Sequence, residues 1–221
     1  MPLIDSRTGA TRKSYTVSEL EEAAKLMRGY NLVSLAAAGS GHAGGTLSIM
    51  DITAALYLHV ARLDPANPQW EGRDRIVWST GHKAPSLYLG LGMAGFYDVK
   101  EVVKLRKLAS PFQGHPHWLK LPGVEVSTGS LGQGLSIAVG MALGLRLNKS
   151  DSRVYAVTGD GEHQEGQIWE AIMEAGHYKL DNLVCILDKN RLQIDGWVKD
   201  VMNIDPIEDK YRSFGWDVIH I

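Results

Sequence analysis

The sequence predicts an α/β protein, a parallel sheet sandwiched by helices. Three observations carry that prediction. Arg153 to Thr158 is a short apolar, β-prone run. Glu165 to Lys179 places apolar residues at Ile168, Trp169, Ile172 and Ala175, the spacing of one helical face. Asn182 to Asp188 is continuously apolar in its middle, as a parallel strand covered on both faces should be. A strand, a helix and a strand in that order form a crossover unit, which makes the two strands parallel and close neighbours.

The remaining elements follow along the chain. Thr16-Val-Ser18 with Glu21 resembles a capping box, opening a helix that runs towards Ala38 until the glycine-rich stretch Gly39 to Gly45 stops it. Ser48 to Ala61 is a second helix with Ile49, Ile52, Ala55 and Leu56 on its apolar face. Pro65 and Pro68 mark a connection. Asp74 to Ser79 reads as a strand that delivers Gly81 and His82 at its carboxyl end, with Ala84 to Gly95 as the helix behind it. Val99 to Leu108 is a further short helix. Pro111 to Ser130 is rich in Gly, Pro and His with little periodicity, the signature of a long functional loop. Gly132 to Leu147 is a glycine- and alanine-rich helix, small-faced enough to pack closely on a sheet or a second polypeptide. Phe214 to Ile221 reads as one more parallel strand. Residues 1–15 form an N-terminal extension and residues 16–221 one domain, with no internal repeat.

Composition bounds the function. The 221 residues are 44% hydrophobic with a formal net charge of -2, an ordinary globular balance that gives no reason to expect a nucleic-acid or membrane partner. The single cysteine, Cys185, lies in an apolar strand and reads as a buried structural thiol. No stretch reaches the about 18 apolar residues of a membrane span. The first residues carry Asp5, Arg7, Arg12 and Lys13 with no apolar core behind them, so no signal peptide is expected and a cytoplasmic location is the default.

The chemistry concentrates in Gly159-Asp160-Gly161 and in Asn190, thirty positions beyond Asp160. Both follow predicted strands, so both emerge at carboxyl ends, where open α/β sheets bind ligands. A carboxylate, an amide oxygen and a backbone carbonyl just past Asn190 are hard oxygen ligands, which suit Mg2+ or Ca2+ with phosphate oxygens and water in the other positions. Glycines beside Asp160 let a diphosphate approach the backbone. Taken alone, the Gly-Asp-Gly triplet also fits a plain strand-to-helix turn with an Asp cap.

With Asn190, this pattern resembles the thiamine-diphosphate enzymes, and its wording is closer still to transketolase. Gly159-Asp-Gly-Glu-His-Gln-Glu-Gly166 resembles the family's GDG-x-x-QEG, and Asp188-Lys-Asn-Arg-Leu-Gln-Ile-Asp-Gly196 its second half. Ser40-Gly-His42-Ala-Gly-Gly45, Ser79-Thr-Gly-His82, Gly114-His115-Pro and Leu121-Pro-Gly-Val-Glu-Val-Ser-Thr-Gly-Ser-Leu-Gly-Gln-Gly134 match further segments in the family's order. The resemblance runs from about Leu20 to the last residue.

The resemblance implies the following. Thiamine diphosphate and a divalent metal are the cofactors. Asp160, Asn190 and the carbonyl of Leu192 hold the metal. Gly161 contacts the diphosphate, Ile194 packs near the thiazolium ring, and Gly129 and Leu131 contact the aminopyrimidine. His82 lies beside the diphosphate and reacting carbon, His115 at the donor sugar's terminal hydroxyl, and His42 near the hydroxyl that exchanges a proton during carbon-carbon cleavage. Glu165 sits at the subunit contact, supporting a catalytic glutamate supplied by the other half. His163 has no support from the resemblance and reads as structural or exposed, although its place inside the Gly-Asp-Gly loop leaves a role at the site open.

The family's aminopyrimidine-binding and C-terminal domains have no counterpart in the sequence, so the resemblance implies the N-terminal subunit of a split transketolase. That subunit is expected to be shortened at its C-terminal end and to be active only in a heterotetramer with two C-terminal partner subunits and sugar phosphate substrates. Two alternatives stay open: a related enzyme for an unusual sugar or a deoxyxylulose-phosphate-synthase-like reaction, and a non-catalytic regulatory subunit. Ala43 departs from the family's usual proline, which affects loop stiffness more than chemistry.

Overall fold

The computed structural model describes residues 15–194 and 196–221; the expected N-terminal extension lies almost wholly outside the described residues. The chain opens with α1 (Val17–Ala38), whose capping box is Thr16 with Glu19: Glu19 N–H donates to Thr16 Oγ1 and Thr16 N–H donates back to Glu19 Oε2. The box expected at Ser18 and Glu21 is therefore displaced by two residues, because both pairs satisfy the same spacing. Gly39, in the left-handed region at φ 69°, closes the helix.

The second predicted helix is longer and broken. It begins inside the glycine-rich stretch as α2 (Ala43–Ser48), restarts as α3 (Met50–Ala55) and ends in a π-turn over Leu56–Val60. Then come β1 (Arg75–Trp78), a 3₁₀ turn at Gly81–Lys83 and α4 (Ala84–Ala94). Val99–Lys104 is 3₁₀ rather than α-helical, and the chain leaves it through Arg106 at φ 58°. Next are α5 (Gln133–Leu147), β2 (Val154–Gly159), a 3₁₀ turn at Gly161–Gln164, α6 (Gly166–His177) and β3 (Leu183–Asp188). A short antiparallel pair, β4 (Leu192–Gln193) with β5 (Gly196–Trp197), precedes α7 (Val198–Val201) and α8 (Ile207–Ser213).

The three long strands form one parallel sheet in the order β1-β2-β3, with Trp78 opposite Val157 and Gly159 opposite Asp188. Alternation along each strand divides the core in two. Ile76, Trp78, Tyr155 and Val157 face α1, α3 and α4, while Val77, Val154 and Ala156 face α5 and α6. This is the predicted helix-sheet-helix sandwich.

The strand expected at Phe214–Ile221 is not formed. Trp216 Nε1 donates to Ile172 O at 2.9 Å, and Phe214 O lies 2.0 Å from where a Cβ on Gly176 would stand, so the segment is held on α6 instead of pairing with β3. Ile219 and Ile221 are exposed to solvent.

Candidate active site

The register sets the site's geometry. Because Gly159 pairs with Asp188, Asp160 and Asn190 leave the sheet side by side at its carboxyl edge. Asp160 is buried. Its Oδ1 accepts from Gly161 N–H at 2.9 Å and its Oδ2 from Arg191 N–H at 2.5 Å, a contact made possible by the left-handed backbone of Arg191 at φ 67°. Asn190 Oδ1 accepts from Leu192 N–H at 3.0 Å, and its Nδ2 donates to Asp188 Oδ2 at 3.3 Å. The amide is thereby oriented, oxygen on one side and nitrogen anchored on the other.

These residues fit a hard divalent cation. Burial pushes the Asp160 carboxyl up, against the pull of the two N–H donors and of Lys83, and a cation there would favour the ionised form. Each carboxylate oxygen retains a lone pair for it. No cluster of three or more His, Cys, Asp or Glu side chains suited to a metal exists among the described residues.

The three loop histidines converge on the same edge. His42 and His82 stack edge to face with ring centroids 5.3 Å apart. Gly81 has no room for a side chain: a Cβ there would lie 2.6 Å from Gly129 N and from Thr128 C. Gly129 in turn lies against His115, whose Cδ2 is 3.2 Å from its Cβ position. Two glycines thus pack His82, Gly129 and His115 into one unit. Burial, with Lys83 and the neighbouring histidines, pushes His82 down to about 4; burial, with Arg106 and His115, also lowers His42. Both rings are therefore neutral near pH 7, able to accept as well as donate. Beside His115 opens a cleft of about 570 Å³ whose lining includes Arg106, Lys107 and Lys120 and no carboxylate.

Leu131 is half-buried beside Gly132, and Glu165 is exposed with its Cβ 2.9 Å from the Cβ position of Gly132. Ile194 is 92% exposed. Leu192 is exposed on β4, and its N–H bond to Asn190 Oδ1 keeps this stretch of backbone close to the amide.

Several residues that sequence reasoning passed over tie the site together. Glu162 is buried: its Oε1 accepts from Ser79 Oγ and from Gly132 N–H at 2.9 Å, and its Oε2 from Gly159 N–H at 3.2 Å. It joins the end of β1, the start of α5 and the end of β2. Lys83 Nζ donates to Asp188 Oδ2 at 2.5 Å, and Ser48 Oγ donates to the same oxygen at 2.5 Å. One signal was available: Lys83 is the lone charge opening an otherwise apolar run. His163, left open between structural, exposed and functional by the sequence, is buried and hydrogen-bonded at both ring nitrogens. Its Nδ1 lies 2.7 Å from Gly159 O, which only accepts, so Nδ1 carries the proton and Nε2 accepts from Tyr211 Oη at 2.7 Å. Cys185 Sγ sits 3.4 Å from the same hydroxyl.

The family model for the thiamine diphosphate binding domain of transketolase matches residues 20–221. The chain belongs to the transketolase family. It is 42% identical over 200 residues to the 6-deoxy-6-sulfo-D-fructose transketolase subunit SqwG of Clostridium sp. (strain MSTE9), covering 90% of this chain and 73% of that protein. It is 44% identical over 184 residues to one of the subunits of the apulose-4-phosphate transketolase of Phocaeicola vulgatus, covering 83% of this chain and 65% of that protein. Against the crystal structure of transketolase from Campylobacter jejuni, the TM-score is 0.85 at 35% identity, covering 91% of this chain and 33% of that one. The chain thus spans about a third of that transketolase and about two thirds to three quarters of the two subunits.

Proposed function

We propose that this chain is the cofactor-binding N-terminal subunit of a transketolase, transferring a two-carbon ketol unit from a ketose phosphate to an aldose phosphate. The observation that carries the reading is the convergence, on one sheet edge, of the Asp160–Asn190 oxygen pair and the neutral histidines His42 and His82. Asp160, Asn190 and the Leu192 carbonyl hold Mg2+, with Ca2+ also suited. Gly161 meets the diphosphate, Gly129 and Leu131 the aminopyrimidine, and Ile194 the thiazolium side. Thiamine diphosphate, when bound, supplies stabilisation of the acyl carbanion equivalent. His42, neutral at working pH, holds and passes a proton at the sugar hydroxyl, the neutral His82 stands beside the diphosphate and reacting carbon, and His115 binds the donor's terminal hydroxyl.

Glu165, exposed at the start of α6, is where a partner's glutamate would be met. The partner is a C-terminal subunit with the aminopyrimidine-binding and C-terminal domains, in a twofold heterotetramer located in the cytoplasm. The cationic cleft beside His115 favours an anionic sugar over a neutral one. A less common ketose carrying a phosphate or sulfonate is a second reading, supported by the substrates in the names of the two relatives above.

The test is reconstitution. The chain, mixed with a C-terminal transketolase subunit, Mg2+ and thiamine diphosphate, should give ketol transfer that neither component gives alone. Full activity from the isolated chain would refute the need for a partner. A stable complex with bound cofactor and no turnover on any ketose would favour the regulatory reading.

A further inference from the structure

Two buried polar groups beside the candidate metal ligands keep hydrogen-bonding capacity that the described residues do not use. Thr80 is 0% exposed, and its hydroxyl has no partner among the described residues. Lys83 is 2% exposed, and among the described residues its ammonium makes one hydrogen bond, to Asp188. An ammonium has three donors and no acceptor, so two remain unspent. Buried donors of this kind are costly to leave unmatched, and lysine is among the residues least often fully buried.

Both groups converge on Gly159. A Cβ on that glycine would lie 3.1 Å from Thr80 Cγ2 and 3.6 Å from Lys83 Nζ, and Thr80 Oγ1 branches from the same Cβ as Cγ2. The Thr80 side chain and the Lys83 ammonium therefore stand one residue from Asp160, at the shared carboxyl end of β1 and β2, on either side of Gly81 and His82. Lys83 also occupies the N-cap position of α4, whose dipole adds positive potential at the same point. A cationic ligand would be repelled by the ammonium, whereas an oxyanion with several acceptors would use every donor and meet the positive charge.

We propose that Thr80 and Lys83 bind the cofactor's diphosphate: each donates to a phosphate oxygen, and Lys83 adds a fixed protein cation to the divalent metal. This rests on the reading that thiamine diphosphate and its metal bind at Asp160 and Asn190. It differs from a role for Lys83 as counter-ion to Asp188 alone, which would account for the ammonium but not for the idle hydroxyl.

The experiment is calorimetric titration of inorganic pyrophosphate into the chain, with Mg2+ and again in EDTA, with thiamine as the control that lacks the anion. Thr80→Val keeps the shape and removes a hydroxyl with no partner among the described residues, so it should melt at or above the wild-type temperature. It should nonetheless bind magnesium pyrophosphate about 3- to 10-fold more weakly, the range of one neutral hydrogen bond. Lys83→Met combined with Asp188→Asn removes the ion pair without stranding a charge. It should lose more than about 10-fold, and should also lose the residual affinity seen in EDTA, which damage confined to the metal ligands would not touch. Thiamine should be indifferent to both changes. Wild-type affinity in both variants, each still melting cooperatively, would overturn the proposal and leave the metal site standing. A folded wild-type chain that binds no pyrophosphate with Mg2+ would overturn the cofactor reading at Asp160 and Asn190, and this proposal with it.

Discussion

His163 should make the chain acid-sensitive, and the size of the effect can be worked out. The ring is 1% exposed, donates from Nδ1 to Gly159 O and accepts at Nε2 from Tyr211. Protonating Nε2 would break the Tyr211 bond and bury a cation, and burial holds the folded value at about 4 against 6.5 for a free histidine. A depressed histidine contributes stability that is fully present above the unfolded value and is lost as the pH falls towards the folded one. Between those values the unfolded chain takes up a proton that the folded chain refuses. By linkage, lowering the pH from 7 to about 4.5 should cost about 2.5 kcal/mol through this residue alone. Other groups, including His82 and the salt-bridged Asp51, lose stability in the same direction, so the contribution is isolated as a difference. The assay is urea unfolding of wild type and His163→Gln at both pH values. Gln has no titrating ring, so its loss on acidification should be smaller than the wild type's by about 2 kcal/mol or more. An identical loss in the two proteins would refute the assignment of a buried neutral imidazole.

Three further outcomes are expected. Asp160→Ala or Asn190→Ala should abolish metal-dependent binding of thiamine diphosphate, measured by calorimetry with and without Mg2+; undiminished affinity would remove these residues from the metal site. Glu162→Leu leaves the Ser79 hydroxyl and the Gly132 and Gly159 N–H groups without their acceptor. At about 1–3 kcal/mol for each stranded group, it should destabilise the chain by several kcal/mol in chemical denaturation. Gly134→Ala would place a methyl 2.5 Å from Ser79 Cα, a backbone atom that cannot swing away. A loss of about 1–3 kcal/mol is expected, and a thermal melt matching the wild type would show that α5 can shift on β1 at no cost.

Local patterns in the chain were enough for the parts of this protein that neighbouring residues encode. Strand and helix alternation around Gly159 placed Asp160 and Asn190 at carboxyl ends, because in a parallel sheet the direction of each strand fixes which end carries the next loop. The motifs also identified the transketolase family and singled out His42, His82 and His115. Local pattern was insufficient where two local solutions competed. Thr16 with Glu19 and Ser18 with Glu21 have the same spacing, and the backbone entering α1 chose between them. Phe214 to Ile221 has a strand-like pattern, yet the Trp216 contact with α6, forty-four positions away, holds it off the sheet. The supports of the site emerged with the folded chain. Glu162 meets Ser79 across 83 positions and Lys83 meets Asp188 across 105, and no periodicity in a sequence reports pairings of that range. Such pairs form because folding brings three strand ends together and excludes water from them, after which each buried charge must find its partner within the few side chains that remain.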